Sequence, residues 1–94
     1  MQISELAKKQ YAWVESMNWH NKTTLESLAL IASEVGEAIN ECRGQTPTER
    51  LPAELADIIL RTVDLAEVLG IDIEQTILDK LEINLRRTFE GKIK

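Results

Sequence analysis

The segment from residue 52 to 69, PAELADIILRTVDLAEVL, is apolar nearly all the way round a helical wheel. At about 100° per residue, Leu55, Ile58, Ile59, Val63, Leu65, Ala66 and Leu69 fill one wide face. Ala53, Ala56, Leu60 and Val68 add apolar surface on the other sides. A narrow polar sector holds Glu54, Asp57 and Arg61, with Asp64 and Glu67 apart from it. A helix of this kind must be buried nearly all round. A chain of 94 residues with three other helices can hardly surround it. The pattern therefore predicts a homo-oligomer, a dimer or a dimer of dimers, in which helices from two chains build a shared bundle.

The rest of the composition agrees with an all-α fold. Four Gly and two Pro are few, and 44% of the residues are hydrophobic against 29% charged. Leu, Ile, Ala and Glu dominate, which favours helix. The length fits one domain over residues 1–94. No apolar run approaches the roughly 18 residues that a membrane span requires, so no membrane partner is expected. The opening MQISELAKKQ has no apolar core of a signal peptide. The lone Cys42 cannot form an internal disulfide, which fits a reducing cytoplasm, and it reads as a small buried hydrophobe at the end of an apolar helix face. One histidine, His20, is too few for a zinc cluster of His and Cys. The net charge is −5 with no basic stripe before the C-terminal end, which argues against nucleic-acid binding.

Periodicity and capping residues place the helices. Ile3, Leu6, Ala7, Tyr11, Trp13, Val14 and Met17 recur at helical spacing, so helix 1 is expected over residues 2–17, with Trp13 in the core. Asn18 to Lys22 reads as a loop. Thr23 and Glu26 form a capping box that opens helix 2, whose apolar residues are Leu25, Leu28, Ala29, Ile31, Ala32, Val35, Ala38, Ile39 and Cys42, with Gly44 as its stop. Thr46-Pro47-Thr48-Glu49 is a second capping box that predicts one short turn. Pro52 then starts helix 3, which Gly70 ends. Asp72 with Gln75 caps helix 4, expected to run to about Thr88 with Gly91 beyond it, and to bury Ile73, Ile77, Leu78, Leu81 and Leu85.

Against this scaffold, four acids form two matched pairs. Glu34 and Glu37 sit three apart in helix 2, and Glu54 and Asp57 sit three apart in helix 3. Residues three apart share a helix face. Two facing helices would bring four carboxylates to one spot. Two unit charges about 4 Å apart repel by roughly 4 kcal/mol at an effective dielectric near 20. A hard divalent cation such as Mg²⁺ removes that repulsion, because it takes oxygen ligands. The spacing alone is weak: Asp64/Glu67 and Asp79/Glu82 repeat it, and Asp57 with Arg61 is an ordinary i,i+4 ion pair. The first two pairs stand out because each is set in strongly apolar helix and each belongs to a different helix. Leu30 also falls in the sector of Glu34 and Glu37, which suggests that this side faces a pocket or partner. The pattern points to a Mg²⁺-dependent enzyme acting on a phosphate ester or anhydride.

Glu34-Val-Gly-Glu37, followed after 16 residues by Glu54-Leu-Ala-Asp57, resembles the E-x-x-E…E-x-x-D signature of the MazG-like nucleotide pyrophosphohydrolases. The similarity runs through ELADIILRTVDLAEVLGID to Lys80-x-x-x-Asn84-x-x-Arg87 and covers roughly residues 25–88. These enzymes belong to the all-α nucleoside triphosphate pyrophosphatases. The order of the whole chain is similar to that of small single-domain members, some carried in mobile gene cassettes. The resemblance implies hydrolysis of a nucleoside triphosphate to the monophosphate and pyrophosphate. It also implies Mg²⁺, for which Mn²⁺ can substitute, held by Glu34, Glu37, Glu54 and Asp57, and a helical bundle that depends on dimerisation. Many members carry a further acid just before the first ligand, where this chain has Ser33. Glu37 is the candidate acceptor of the attacking water's proton.

Lys80, Asn84 and Arg87 share one face of helix 4. Their spacing alone describes a solvated edge, whereas the resemblance implies that they bind phosphate. Arg86 lies on another face. Trp19 and His20 are candidates to stack on and hydrogen-bond a base, Asn18 is a weaker one, and Asp64 is a candidate for the sugar or for supporting the site. Family analogy leans towards deoxynucleotides and house-cleaning of the nucleotide pool. The competing reading is a non-catalytic helical oligomerisation or regulatory module. Such a module has no need of both the four acids and the Lys80–Asn84 pair.

Overall fold

The computed structural model describes residues 1–89 and consists of four helices: α1 (Ile3–Ser16), α2 (Thr24–Asn40), α3 (Leu51–Val68) and α4 (Ile73–Phe89). No strand occurs among the described residues. The fold is all-α, as the composition and periodicity predict. Gly91, the expected stop of α4, lies outside the described residues.

Local chemistry sets most of the helix ends. Thr23 caps α2 as expected: its Oγ1 accepts from the Glu26 amide at 3.1 Å, and its own amide donates to Glu26 Oε1 at 2.8 Å. Asp72 Oδ1 accepts from the Gln75 amide at 3.1 Å at the start of α4. Helix α1 ends in a Schellman turn. Asn18 takes φ 57°, a left-handed conformation that Asn tolerates, and the Trp19 amide donates to the Val14 carbonyl at 3.2 Å. That turn throws Trp19 and His20 out sideways. Gly70, with φ 71°, ends α3 in the same way, and the Ile71 amide donates to the Ala66 carbonyl at 2.8 Å.

The expected short turn forms one position later than its capping box suggests, with the Leu51 amide donating to the Thr48 carbonyl at 3.2 Å, and it does not extend into a separate helix. The Thr48 hydroxyl donates to the Glu41 carboxylate and accepts from the Arg50 amide. The linker is thus folded back on the end of α2. Helix α3 starts at Leu51, with Pro52 in its first turn, where a missing N–H costs nothing. Because α2 ends at Asn40, Cys42 falls in the turn beyond it and is exposed rather than buried.

Helix α3 is the centre. Both α1 and α2 pack on it, and among the described residues they do not pack on each other. The buried residues are small: Ala7, Ala38, Val63 and Ala66. They let the helices approach closely but leave much apolar surface outside. The sequence expectation for α2 is met only in part by this packing: Ile31 and Ala38 of its apolar set are covered, but most of the set is not. The side turned to α3 carries Ser27, Leu30, Ile31, Glu34 and Ala38, all at least half-buried. The strongest apolar arc, with Leu25, Leu28, Val35 and Ile39, is exposed. Hydrophobic periodicity finds the most apolar face of a helix, not the face that its own chain covers.

Helix α4 departs from expectation in the same sense. Among the described helices it touches α1 and α3 and not α2, and its first turn is held by the Ser4 amide donating to Glu74 Oε1 at 2.9 Å. Ile73 is half-buried, but Ile77, Leu78, Leu81 and Leu85 are exposed rather than forming a buried stripe. On α3 itself, Leu55, Ile59 and Val68 are each about half exposed, as is Leu69 just beyond its end. The radius of gyration is 15.7 Å. A compact chain of this length would have about 12 Å. Among the described residues, no helix is long and apolar enough to cross a membrane.

Candidate active site

The side of α2 that faces α3 brings Glu34 down onto the polar sector of α3. One carboxylate oxygen each from Glu34, Glu54 and Asp57 lies within 4.8 Å of the others. Three of the four predicted ligands therefore converge. Glu37, one turn further along α2, is exposed and outside this trio, yet it interacts with Glu54. Desolvation raises the pKa of Glu54, and the charge of Glu37, a hydrogen bond shared with it, and the charges of Asp57 and Glu34 push it further in the same direction. All four acids thus share one electrostatic neighbourhood.

The trio carries an unmet demand. The Oε2 atoms of Glu34 and Glu54 are buried, and no hydrogen-bond partner reaches either. A buried carboxylate oxygen with no partner is costly. All the donor atoms are carboxylate oxygens, the ligand type that hard divalent cations prefer. The cluster is suited to hold such a cation.

Arg61 also reaches the cluster, though not by the i,i+4 pairing with Asp57 that spacing suggests. Its Nε donates to Glu34 Oε1 at 3.1 Å across the two helices. The cause is the packing of α2, which places Glu34 nearer than the neighbour on the same helix. The sequence gives no signal for this contact beyond the presence of Arg61 in the narrow polar sector.

Beside the cluster lies a cavity of about 610 Å³, within the range of small-molecule sites. Its floor is one row of α3: Asp57, Arg61, Asp64 and Val68. That row spans about 16 Å at 1.5 Å per residue. Glu34 and Leu30 line it from α2, Gln10, Trp13 and Val14 from α1, and Trp19, His20 and Lys22 from the loop between them. The cavity runs from a charged end at Asp57 to an apolar end at Val68. Leu30, the apolar residue among the acids of α2, does face a pocket.

Two aromatics form a wall. Trp13 is 52% exposed and does not sit in the core as its helical position predicts. It packs edge-to-face against Trp19, with ring centroids 5.3 Å apart. The left-handed turn at Asn18 creates this pairing, because it folds the loop back over α1. His20 stacks on Tyr11, with centroids 4.5 Å apart. Both of its ring nitrogens face carboxylates: Nδ1 lies 2.6 Å from Glu15 Oε1, and Nε2 lies 2.9 Å from Asp64 Oδ1. In this arrangement no nitrogen of His20 remains for a base, because both are engaged. Asp64, in turn, holds the loop. Asn18 serves the turn and does not line the cavity.

The predicted phosphate ligands lie elsewhere. Lys80 and Arg87 are exposed on α4, Asn84 is half-buried, and none of the three lines the cavity. The cations that do line it, Arg61 and Lys22, escape a reading based on α4 alone.

Comparison with known proteins identifies the family of the chain. The MazG nucleotide pyrophosphohydrolase domain family matches residues 22–87, which include the four acids and the loop end at Lys22. The chain is similar to a dATP/dGTP diphosphohydrolase of Cyanophage S-2L, with 31% identity over 87 residues, covering 93% of this chain and 77% of the relative. No solved structure matches it significantly. The chain therefore belongs to the MazG nucleotide pyrophosphohydrolase family and is an enzyme of the hydrolase class.

Proposed function

We propose that this protein is a Mg²⁺-dependent nucleoside triphosphate pyrophosphohydrolase, converting a (deoxy)nucleoside triphosphate and water to the monophosphate and pyrophosphate. The observation that carries this reading is the carboxylate trio with its two unpartnered buried oxygens, set at the charged end of an aromatic-walled cavity. Glu34, Glu54 and Asp57 hold the cation, with Glu37 completing the set from the exposed side. Mn²⁺ substitutes for Mg²⁺, because both accept oxygen ligands. When bound, the metal neutralises phosphate charge and lowers the pKa of water.

The chain's own residues do the rest. The carboxylates orient the water for attack on the α-phosphorus. A bond forms between the water oxygen and that phosphorus, and the bond from phosphorus to the bridging oxygen breaks, so pyrophosphate leaves. Glu37, exposed beside Glu54, accepts the water's proton. Trp19, paired with Trp13, stacks on the base at the apolar end of the cavity. His20 and Asp64 fix the loop that carries Trp19.

The apolar faces of α2, α3 and α4 support a homo-oligomer, in which they are covered by a second copy. Lys80, Asn84 and Arg87 are assigned to phosphate in that assembly. The name of the cyanophage relative supports deoxynucleotides as substrates, and with them a role in clearing the nucleotide pool of the cytoplasm.

The test is a panel of ordinary and modified nucleoside triphosphates with Mg²⁺, reading monophosphate and pyrophosphate together. Asp57→Ala and Glu37→Ala should abolish pyrophosphate release and leave helicity largely intact. Activity retained in both variants removes the assignment.

A further inference from the structure

Arg61 touches the acidic cluster and the cavity at once, and its side chain has a surplus of donors. Its Nε is spent on Glu34 Oε1. A guanidinium has five N–H donors in a planar fork. Among the described residues, its two terminal nitrogens make no hydrogen bond, and Glu34 is the one carboxylate with which Arg61 forms an ion pair. The side chain is 44% exposed, while that of Glu34 is only 13% exposed. One edge of the fork is thus fixed by a half-buried acid and the rest is open to the cavity that Arg61 lines.

The other cations of the cavity do not fit this description. His20 has both nitrogens against carboxylates. Lys22 has its Nζ 3.3 Å from Asn21 Oδ1 on the loop and makes no contact with the cluster. On the floor of the cavity Arg61 stands one turn from Asp57 towards the apolar end. A triphosphate lying along that row, with its phosphates at the carboxylates and its base at Trp19, passes over Arg61.

We infer that Arg61 is a phosphate-binding residue of the substrate site, held in place by Glu34 and presenting its terminal nitrogens to the oxygens of the triphosphate. This rests on the proposed hydrolase reading and adds an in-chain phosphate ligand to it. Without metal, the same arginine lowers the repulsion that Glu34 feels from its neighbours. With substrate, it offsets charge that the carboxylates would otherwise repel. A lysine cannot do both, because one compact ammonium replaces a fork.

The role makes two effects of opposite sign. Arg61→Gln frees Glu34 from a competing cation, so Mn²⁺ alone, titrated calorimetrically or by electron paramagnetic resonance, should bind as tightly as to the wild type or several-fold tighter. A non-hydrolysable α,β-imido deoxynucleoside triphosphate, titrated in saturating Mn²⁺, should bind about tenfold or more weakly, the size of one charge-assisted hydrogen bond. Arg61→Lys, which keeps the charge and guards against misfolding of the neutral variant, should bind Mn²⁺ like the wild type and recover only part of the analogue affinity. Unchanged analogue affinity in Arg61→Gln overturns the inference, as does full recovery in Arg61→Lys. Loss of Mn²⁺ binding in step with analogue binding also overturns it, since that marks a merely structural ion pair. A wild type that releases no pyrophosphate removes the hydrolase reading itself, and this inference with it. A wild type that turns over normally beside an indifferent Arg61→Gln removes the role of Arg61 alone.

Discussion

His20 and Asp64, 44 residues apart, are joined by a forked contact in which Nε2 lies 2.9 Å from one carboxylate oxygen and 3.1 Å from the other. This contact ties the loop after α1 to the floor of the cavity on α3. The opposite nitrogen faces Glu15, so the ring satisfies both partners fully only as the imidazolium. Burial of the ring opposes protonation, but hydrogen bonds and charges from Glu15 and Asp64 outweigh it and raise the pKa above the ordinary 6.5.

A pH dependence with a definite sign results. The groups facing His20 are Glu15 and Tyr11 on α1 and Asp64 on α3. A histidine with a raised folded-state pKa contributes stability that is fully present below 6.5 and is lost as pH rises through the folded value. The melting temperature should therefore fall across the window above 6.5. His20→Gln should flatten that fall and raise KM more than it lowers kcat, because it loosens the loop of Trp19 and leaves the carboxylates alone. An identical pH slope in wild type and variant would contradict the linkage.

The acidic cluster predicts a gain of stability from a loss of function. Glu54 is pushed towards its neutral form by desolvation and by Glu37, Asp57 and Glu34. Glu54→Gln removes one charge from that repulsion, so the metal-free protein should melt a few degrees higher. The wild type should melt higher with Mg²⁺ or Mn²⁺ added; the same variant should lose that rise, and at least about a hundredfold in kcat. Loss of an outer-shell partner alone costs about 10–100-fold at metal sites. A variant destabilised in the absence of metal would count against the repulsive cluster.

The aromatic wall predicts a split in kinetic effect. Trp19→Ala should raise KM about tenfold, because stacking on a base contributes about 1–3 kcal/mol, and should change kcat much less. Trp13→Ala should do part of the same by removing the edge-to-face support. The double variant should lose less than the two single losses combined, since one ring acts through the other. Strict additivity would show that they act separately.

The exposed apolar faces predict assembly. Ile59 is 54% exposed and Ile39 on α2 is 59% exposed. Fully burying one such side chain stabilises by about 1.5–3 kcal/mol. Sedimentation at micromolar concentration should show a dimer or larger species. Ile59→Glu should shift it towards monomer and lower its melting temperature. A wild type that sediments as a compact monomer would exclude the assembly.

Helix existence, the capping of α2 and α4 and the stop at Gly70 were legible because each depends on residues within a few positions of one another. Thr23 with Glu26, and Gly70 at positive φ, are local physics. The two acid pairs were legible for the same reason: a spacing of three fixes a shared face wherever the helix lies. The exposure of Cys42 was not legible, because it depends on α2 ending two residues sooner than its apolar pattern does.

The amino-acid order alone determined that four amphipathic helices form, that Glu34 and Glu37 share one side of α2, and that Glu54 and Asp57 share one side of α3. Only the tertiary structure decided which side of α2 meets α3. The side with Glu34 and Leu30 does, together with Ile31 and the small Ala38, while Leu25, Leu28, Val35 and Ile39 stay outside. That choice brings Arg61 to Glu34, opens the cavity beside them and leaves Lys80 and Arg87 away from it. The physical reason is that periodicity reports how apolar a helix face is, whereas the contact is selected by shape: small residues allow close approach, and side chains far apart in sequence meet only when helices are packed.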